Sequence, residues 1–255
     1  MRLRVGWIVC IWLVVIVLSI LSILRNPQWL GLYSQAMLFF IPSVLAFTAG
    51  VIIINSFSKR NAERKTWFLF TLGSLSLVIA EAFRAINHLL EMLPNWFNLI
   101  PYPFILICFI FLVWGFWYQQ SLIKTKIGTN VRVLIAIIIS AFAIVLIFLF
   151  TSSFLSSNGS GLSNSAKIFT IAFLLGDLFM FSGAVAISLR MWGGRLSLPW
   201  NVWSLGTIIL VAYHIYFTII LANGNNPVEY GTGILLAIGL GLLATSSEWR
   251  RSLLE

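Results

Sequence analysis

Glu81, Arg84, His88 and Glu91 follow one another at intervals of three, four and three positions. At 100° per residue they fall within an arc of about 80°, one narrow face of a helix. Two more ionisable residues interrupt apolar runs: Asp177 in Leu-Leu-Gly-Asp-Leu-Phe and His214 in Ala-Tyr-His-Ile-Tyr-Phe. Carboxylates and imidazoles in such surroundings hold or pass protons, bind small polar ligands, or pair with one another. Glu81 and His214 each lie fourteen positions after a tryptophan, Trp67 or Trp200, that opens an apolar stretch. At ~1.5 Å of rise per residue, both are expected ~21 Å from that edge. Asp177 comes ten positions after Lys167, which puts it ~15 Å in from the opposite edge. Glu81, Asp177 and His214 are therefore expected at one level, with Arg84 and His88 nearer the outer surface.

A plainer reading competes at each position. Glu81 and Arg84 could form an intrahelical pair that relieves its own desolvation, and His214 could simply hydrogen-bond across helices. Asp177 is different, because no charged residue accompanies it within its own apolar run. It needs a partner from another helix, or a proton. Several sharper chemistries do not fit. Structural or catalytic zinc takes three or four protein ligands, more than two scattered histidines supply. A haem held by His88 and His214 is disfavoured by their different expected depths. There is no mid-span lysine for a retinal Schiff base, and no nucleophile elbow, P-loop or HExxH. Neither a metal nor a cofactor is expected, and the chain reads as a non-enzyme more readily than as an enzyme.

The elements that must position these residues are membrane spans. Hydrophobic residues make up 60% of the 255, charged residues only 9%, and mean hydropathy is +1.00. A soluble domain carries about 25% charged residues. A span needs about 20 mostly apolar residues. Eight stretches qualify: 5–24, 35–55, 67–90, 97–118, 133–150, 168–189, 202–221 and 230–245. The eighth is short and Gly-rich. The expected fold class is all-α: a polytopic membrane protein of eight helices in one integral domain, 1–255, with short loops. The first stretch is too long for a signal-peptide core and no A-x-A-like site follows it, so it is expected to be retained. Cys10 and Cys108 lie inside spans without metal or redox spacing and read as packing residues. Asn158-Gly-Ser matches a glycosylation acceptor, a pattern that is common by chance.

Thirteen of the 16 Lys and Arg residues fall in the N-terminus, alternate loops and the C-terminal tail: Arg2, Arg4, Lys59, Arg60, Arg64, Lys65, Lys124, Lys126, Arg132, Arg190, Arg195, Arg250 and Arg251. Positive residues in short loops stay cytoplasmic, which places both termini in the cytoplasm of a cell with this protein in its plasma membrane. The basic rim faces anionic lipid headgroups. The net charge of +9 therefore has a membrane explanation, and nucleic acid is not an expected partner. The eleven tryptophans, among them Trp29, Trp67, Trp96, Trp200 and Trp249 near span ends, read mostly as interface anchors.

The chain also resembles itself at an offset of 133 positions, the distance from Trp67 to Trp200. Trp67-Phe-Leu-Phe-Thr-Leu-Gly73 meets Trp200-Asn-Val-Trp-Ser-Leu-Gly206, Gly50 meets Gly183, Ile86 meets Ile219, Pro94 meets Pro227, Phe116 meets Trp249 and Glu81 meets His214. This suggests a 4+4 parallel duplication, with repeats of about 1–122 and 133–255, related by an axis along the membrane normal. Small residues at Ala49-Gly50 and Ser182-Gly183-Ala184 are expected to let helices approach closely.

The segment from Gly176-Asp177 through Arg190-Met-Trp-Gly-Gly-Arg195, followed by Pro199-Trp200 and Trp203-Ser-Leu-Gly206, resembles a known type of membrane region. That region is the multi-span N-terminal part of bacterial PAS, diguanylate-cyclase and histidine-kinase signalling proteins. The first half, through Trp67, Leu72-Gly73, Glu81 and Pro101-Tyr102-Pro103, resembles the family's other repeat more loosely. The resemblance implies a sensory membrane domain with Asp177 at the family's Gly-Asp position. His214 stands where the family would have an acid, and no signalling module follows the eighth span, so a stand-alone version is implied. A second resemblance, through Leu-Leu-Gly-Asp177 and Ala-Tyr-His214, is to the lysoplasmalogenase-like membrane enzymes.

The leading functional expectation is a sensory or small-ligand-binding membrane module that acts through a partner protein, with Glu81, Arg84, His88, Asp177 and His214 as candidate ligand-binding or proton-linked residues. A transporter with a midplane site, a membrane-embedded lipid hydrolase and an accessory subunit of a larger complex follow in that order. The topology is directly testable by single-cysteine labelling in intact cells. Positions in the 59–65 loop should stay closed to an impermeant reagent until the membrane is opened. Labelling from outside would overturn the assignment.

Overall fold

The computed structural model describes residues 5–90, 97, 99–123, 128–155, 164–191, 197–222 and 231–254. Among them are eight long helices and no strand. They are α1 (Val5–Leu24), α2 (Gln28–Ser56), α3 (Glu63–Leu90), α4 (Pro101–Leu122), α5 (Thr129–Leu155), α6 (Asn164–Arg190), α7 (Ser197–Ala222) and α8 (Thr232–Ser252). Each is long and apolar enough to cross a bilayer. Helices satisfy every backbone group internally, which hydrocarbon demands. The expected all-α, eight-span fold class is therefore what the chain adopts. Glu91, Pro94, Trp96, Lys124, Lys126, Asn158, Arg195 and Pro227 lie outside the described residues, as do Arg2 and Arg4.

Six helices close into a ring: α2 packs on α3, α3 on α4, α4 on α6, α6 on α7, α7 on α8, and α8 back on α2. The other two stand outside it. α1 leans on α2 and α8, and α5 on α6 and α7. α5 presents Ile137, Ile144, Ile147 and Phe148 outward, toward the acyl chains that the fold requires around it.

Lipid tails are as apolar as leucine, so helix association rests on close packing rather than on water exclusion. Small residues make that packing possible. A Cβ on Gly50 would lie 2.5 Å from Thr71 Oγ1 on α3, and one on Gly183 would lie 2.8 Å from the Phe116 ring on α4. The expectation for both small-residue patches holds. The tightest backbone approach joins α7 to α8, where a Cβ on Gly206 would meet the Gly239 carbonyl oxygen at 2.9 Å and one on Gly239 would meet the Gly206 carbonyl oxygen at 3.1 Å. This explains the composition of α8. Its glycines and alanines let it sink into the ring, and its central window is more buried than that of any other described helix.

α8 also continues past the expected end at 245. Arg250 makes two hydrogen bonds to Glu63 at the start of α3, Nε to Oε1 at 2.9 Å and Nη2 to Oε2 at 2.5 Å. Arg251 grips Glu248, one turn back, in the same two-pronged way. Paired forks of this kind let charged residues remain helical and buried where hydropathy alone would end the span.

Large aromatic rings fill the ring of helices. Phe70 of α3 stacks on Trp203 of α7 with centroids 4.6 Å apart, and Trp67 lies 5.5 Å from Trp200 and 5.0 Å from Trp203. Phe116 of α4 closes on Phe70 at 5.2 Å. Trp67 and Trp200 are buried, as is Trp203, which corrects the reading of Trp67 and Trp200 as interface anchors. Their rings are too large to waste at the interface when α3 and α7, which share no close backbone contact among the described residues, must be bridged. Trp29 and Trp117, by contrast, are exposed as anchors should be. Hydroxyl groups are mostly spent locally: Thr71, Ser74, Ser76, Ser182 and Thr207 bond the carbonyl one turn back, a common use of Ser and Thr within spans.

Replacing Gly206 by alanine should lower stability in detergent by about 1–3 kcal/mol, the usual cost of overpacking. Gly6→Ala, where the added carbon meets no atom beyond its chain neighbours and its own helix backbone within 4 Å, should not lower it. A Gly206→Ala protein as stable as the parent would show that the α7–α8 crossing is loose.

Candidate polar centre

Two polar pairs from three helices meet beside α7. Asp177 arrives from α6, which has an apolar sequence on either side of it and no charged neighbour to absorb its carboxylate. Its Oδ1 lies 3.0 Å from His214 Nδ1 on α7. Asp177 is wholly buried, and the His214 side chain is 13% exposed. The ring either donates Nδ1–H to the carboxylate or accepts a hydrogen bond from the protonated acid. The expected cross-helix partner of Asp177 is thus His214.

The second pair begins on α3. Arg84 Nη1 donates to Glu81 Oε1 at 3.0 Å, three positions apart on one helix. The same Nη1 lies 2.8 Å from the hydroxyl oxygen of Tyr213, to which it donates. The guanidinium carbon stands 4.7 Å above the Phe217 ring, one turn further along α7. Arg84 therefore reaches across the bundle, held by a carboxylate, a phenol and an aromatic face. Cation–aromatic contacts that are desolvated contribute about 2 kcal/mol.

Tyr213 and His214 are consecutive, so α7 receives both pairs in a single turn. Their rings are 5.0 Å apart, and Phe109 of α4 covers His214 at 5.1 Å. Glu81 is wholly buried and lies within electrostatic reach of His214. Glu81, Asp177 and His214 do come together, as their spacing suggested, but not as a direct triad. Glu81 is engaged by Arg84, and Asp177 by His214. His88 sits half-buried one turn beyond Arg84 on α3.

The first pair keeps two unsatisfied polar atoms and the second keeps one. Glu81 Oε2, Asp177 Oδ2 and His214 Nε2 are buried with no hydrogen-bond partner among the described residues. His214 also lines a small cavity with Ser74, Cys108, Phe109 and Met180. Its volume is about 20 Å³, enough for about one water molecule. Among the described residues no three His, Cys, Asp or Glu side chains are grouped to hold a metal ion.

Sequence reasoning did not find Tyr213, the phenol that ties Arg84 to α7. Its place immediately before His214 was visible, but its partner comes from a helix 129 positions away. The Glu63–Arg250 fork was likewise invisible, since it joins the start of α3 to the end of α8 across 187 positions. The Glu248–Arg251 fork was within reach, because its spacing of three is a standard helical pair. No family model matches this chain, and no curated protein or solved structure does either.

Proposed function

We propose that the chain is a proton-responsive membrane module, a sensor whose input is the charge of the Asp177–His214 pair and whose output is the packing of α7. Both termini would face the cytoplasm of the plasma membrane, and a partner protein there would read the change. The observation that carries this reading is the set of three buried polar atoms on Glu81, Asp177 and His214 that have no hydrogen-bond partner among the described residues. The resemblance to bacterial sensory membrane regions points the same way.

The argument is electrostatic. Glu81 and Arg84 together are neutral when both are ionised. Asp177 and His214 together carry either no net charge or one negative charge, depending on whether they hold one proton between them beyond the imidazole N–H. A net charge in the bilayer interior costs about 2.5–3.5 kcal/mol on insertion scales. Gain or loss of that proton therefore changes the free energy of the packed state by a comparable amount unless helices move or water enters. Other ionisable groups set the local field. Arg84 and Glu81 come from α3, Tyr213 from α7, and Tyr102 and Cys108 from α4. A cavity of about 20 Å³ suits a proton or a water rather than a metabolite, since preformed ligand sites run to about 300–1,000 Å³.

One second reading has an observation of its own. The order of helix contacts in the first half (α1–α2–α3–α4) recurs in the second (α5–α6–α7–α8), and α2–α8 corresponds to α6–α4. Trp67 faces Trp200 and Phe70 faces Trp203, each pair at the 133-position offset. These contacts support the duplication, although α1 touches α8 while α5 touches α7. Transporters place their sites at such repeat interfaces. Proton-driven uptake into liposomes would move the site to that reading.

The test uses Asp177→Asn, which keeps the shape and removes the charge. Spin labels at Ser121 on α4 and Leu198 on α7, both exposed, go into a background free of Cys10 and Cys108. In lipid nanodiscs the parent should show a distance change of about 1–2 Å or more between acid and alkaline buffer, the size of typical helix shifts. Asp177→Asn should abolish it. A parent that shows no change, or a variant that responds equally, would leave the cluster with a structural role only.

A further inference from the structure

At the end of the bundle where α2 stops and α3 begins, a cleft of about 480 Å³ opens to the surface. Lys59, Arg60, Arg64 and Lys65 line it, together with Asn61 and Tyr118. Among the described residues that line it there is no carboxylate. The nearest acid in sequence, Glu63, is turned away: both of its oxygens are held by Arg250, and Trp67 Nε1 donates to it at 3.3 Å. Four cations therefore share one concavity with no acidic partner lining it among the described residues.

The cleft is shaped as well as charged. Arg64 Nε donates to the Ile54 carbonyl at 3.4 Å, which ties the end of α2 to the start of α3. Lys65 Nζ lies 4.6 Å above the Tyr118 ring and 6.0 Å from the Trp114 ring on α4. These contacts aim two of the cations instead of leaving them to sweep through solvent. Immediately toward the membrane, the same face continues as an apolar strip: Phe68 of α3 with Trp114, Trp117 and Ile110 of α4, all exposed. Positive charge at headgroup level directly above an exposed aromatic and aliphatic strip is complementary to a molecule with an anionic head and acyl chains.

We propose that this cleft binds the phosphate headgroup of an anionic phospholipid, with the acyl chains lying along the outer face of α3 and α4. Lys59, Arg60, Arg64 and Lys65 neutralise the phosphate, and Tyr118 and Asn61 offer hydrogen bonds to it. Arg and Lys suit this task differently, the guanidinium as a planar fork and the ammonium as a point charge. The site is distinct from the polar centre and does not depend on the sensory reading.

The experiment is native mass spectrometry of the full chain, released from micelles doped with phosphatidylglycerol, with phosphatidylcholine, or with inorganic phosphate alone. Phosphatidylglycerol should bind at least about ten-fold more tightly than phosphatidylcholine, a difference that four cations in one cleft readily sustain. The Arg64→Gln/Lys65→Gln double variant should lose that preference. Arg132→Gln, an exposed cation at the start of α5, should keep it. If the double variant does not fold, the exposed pair Lys59→Gln/Arg60→Gln takes its place. Equal binding of the two lipids overturns the proposal. So does an equal loss in Arg132→Gln, which would make the effect a property of the whole basic rim. Inorganic phosphate that binds as tightly as the lipid would assign the cleft to a soluble anion instead.

Discussion

An ionisable side chain inside a bilayer has no water to turn to, so its charge must be met by another side chain or cancelled by a proton. In this molecule α7 answers that requirement twice in consecutive residues. Tyr213 receives Arg84, which arrives with Glu81 from α3, and His214 receives Asp177 from α6. Neither the Arg84–Tyr213 nor the Asp177–His214 contact could form if α7 were turned well out of this register. The position of α7 in turn fixes its neighbours. Gly206 on α7 admits the backbone of α8, and Ser204 donates to the Ala184 carbonyl on α6 at 2.9 Å.

The two ends of the bundle are held by different means. Around Trp67, Phe70, Trp200 and Trp203, contact is aromatic, each stacked or edge-on pair adding about 0.5–1.5 kcal/mol beyond its burial. Further along α3 and α7 the link becomes polar, through Arg84 and Tyr213. A stack of rings tolerates small adjustments. A hydrogen-bonded charge does not, because removing one partner leaves the other buried and unsatisfied. The aromatic layer thus serves as the fixed part of the ring and the polar centre as the part whose stability depends on its protons.

The spans were legible because hydrocarbon thickness dictates their length, and the sequence pattern obeys it. The helix face carrying Glu81, Arg84 and His88 was legible for a similar reason, from spacing alone. Placing Asp177 and His214 at one depth needed only the rise per residue. What could not be read were pairings across helices. Tyr213 is one of six tyrosines and has nothing local to mark it. Trp67 and Trp200 looked like anchors because they open spans, yet the ring architecture turns them inward. The eighth stretch reads as short because glycine lowers its hydropathy, and that same glycine content is what allows the burial of α8.

The central claim is that the two polar pairs form one unit through α7. It is tested most directly by a double-mutant cycle on reversible unfolding in mixed micelles, using Tyr213→Phe and Asp177→Asn. Tyr213→Phe removes only the hydroxyl that accepts from Arg84, and Asp177→Asn only the charge that faces His214. If the pairs are coupled, the double variant should depart from the sum of the singles by about 0.5–3 kcal/mol, the range found for residues that share a network. Effects that add to within about 0.3–0.5 kcal/mol, as for independent sites, would contradict the account.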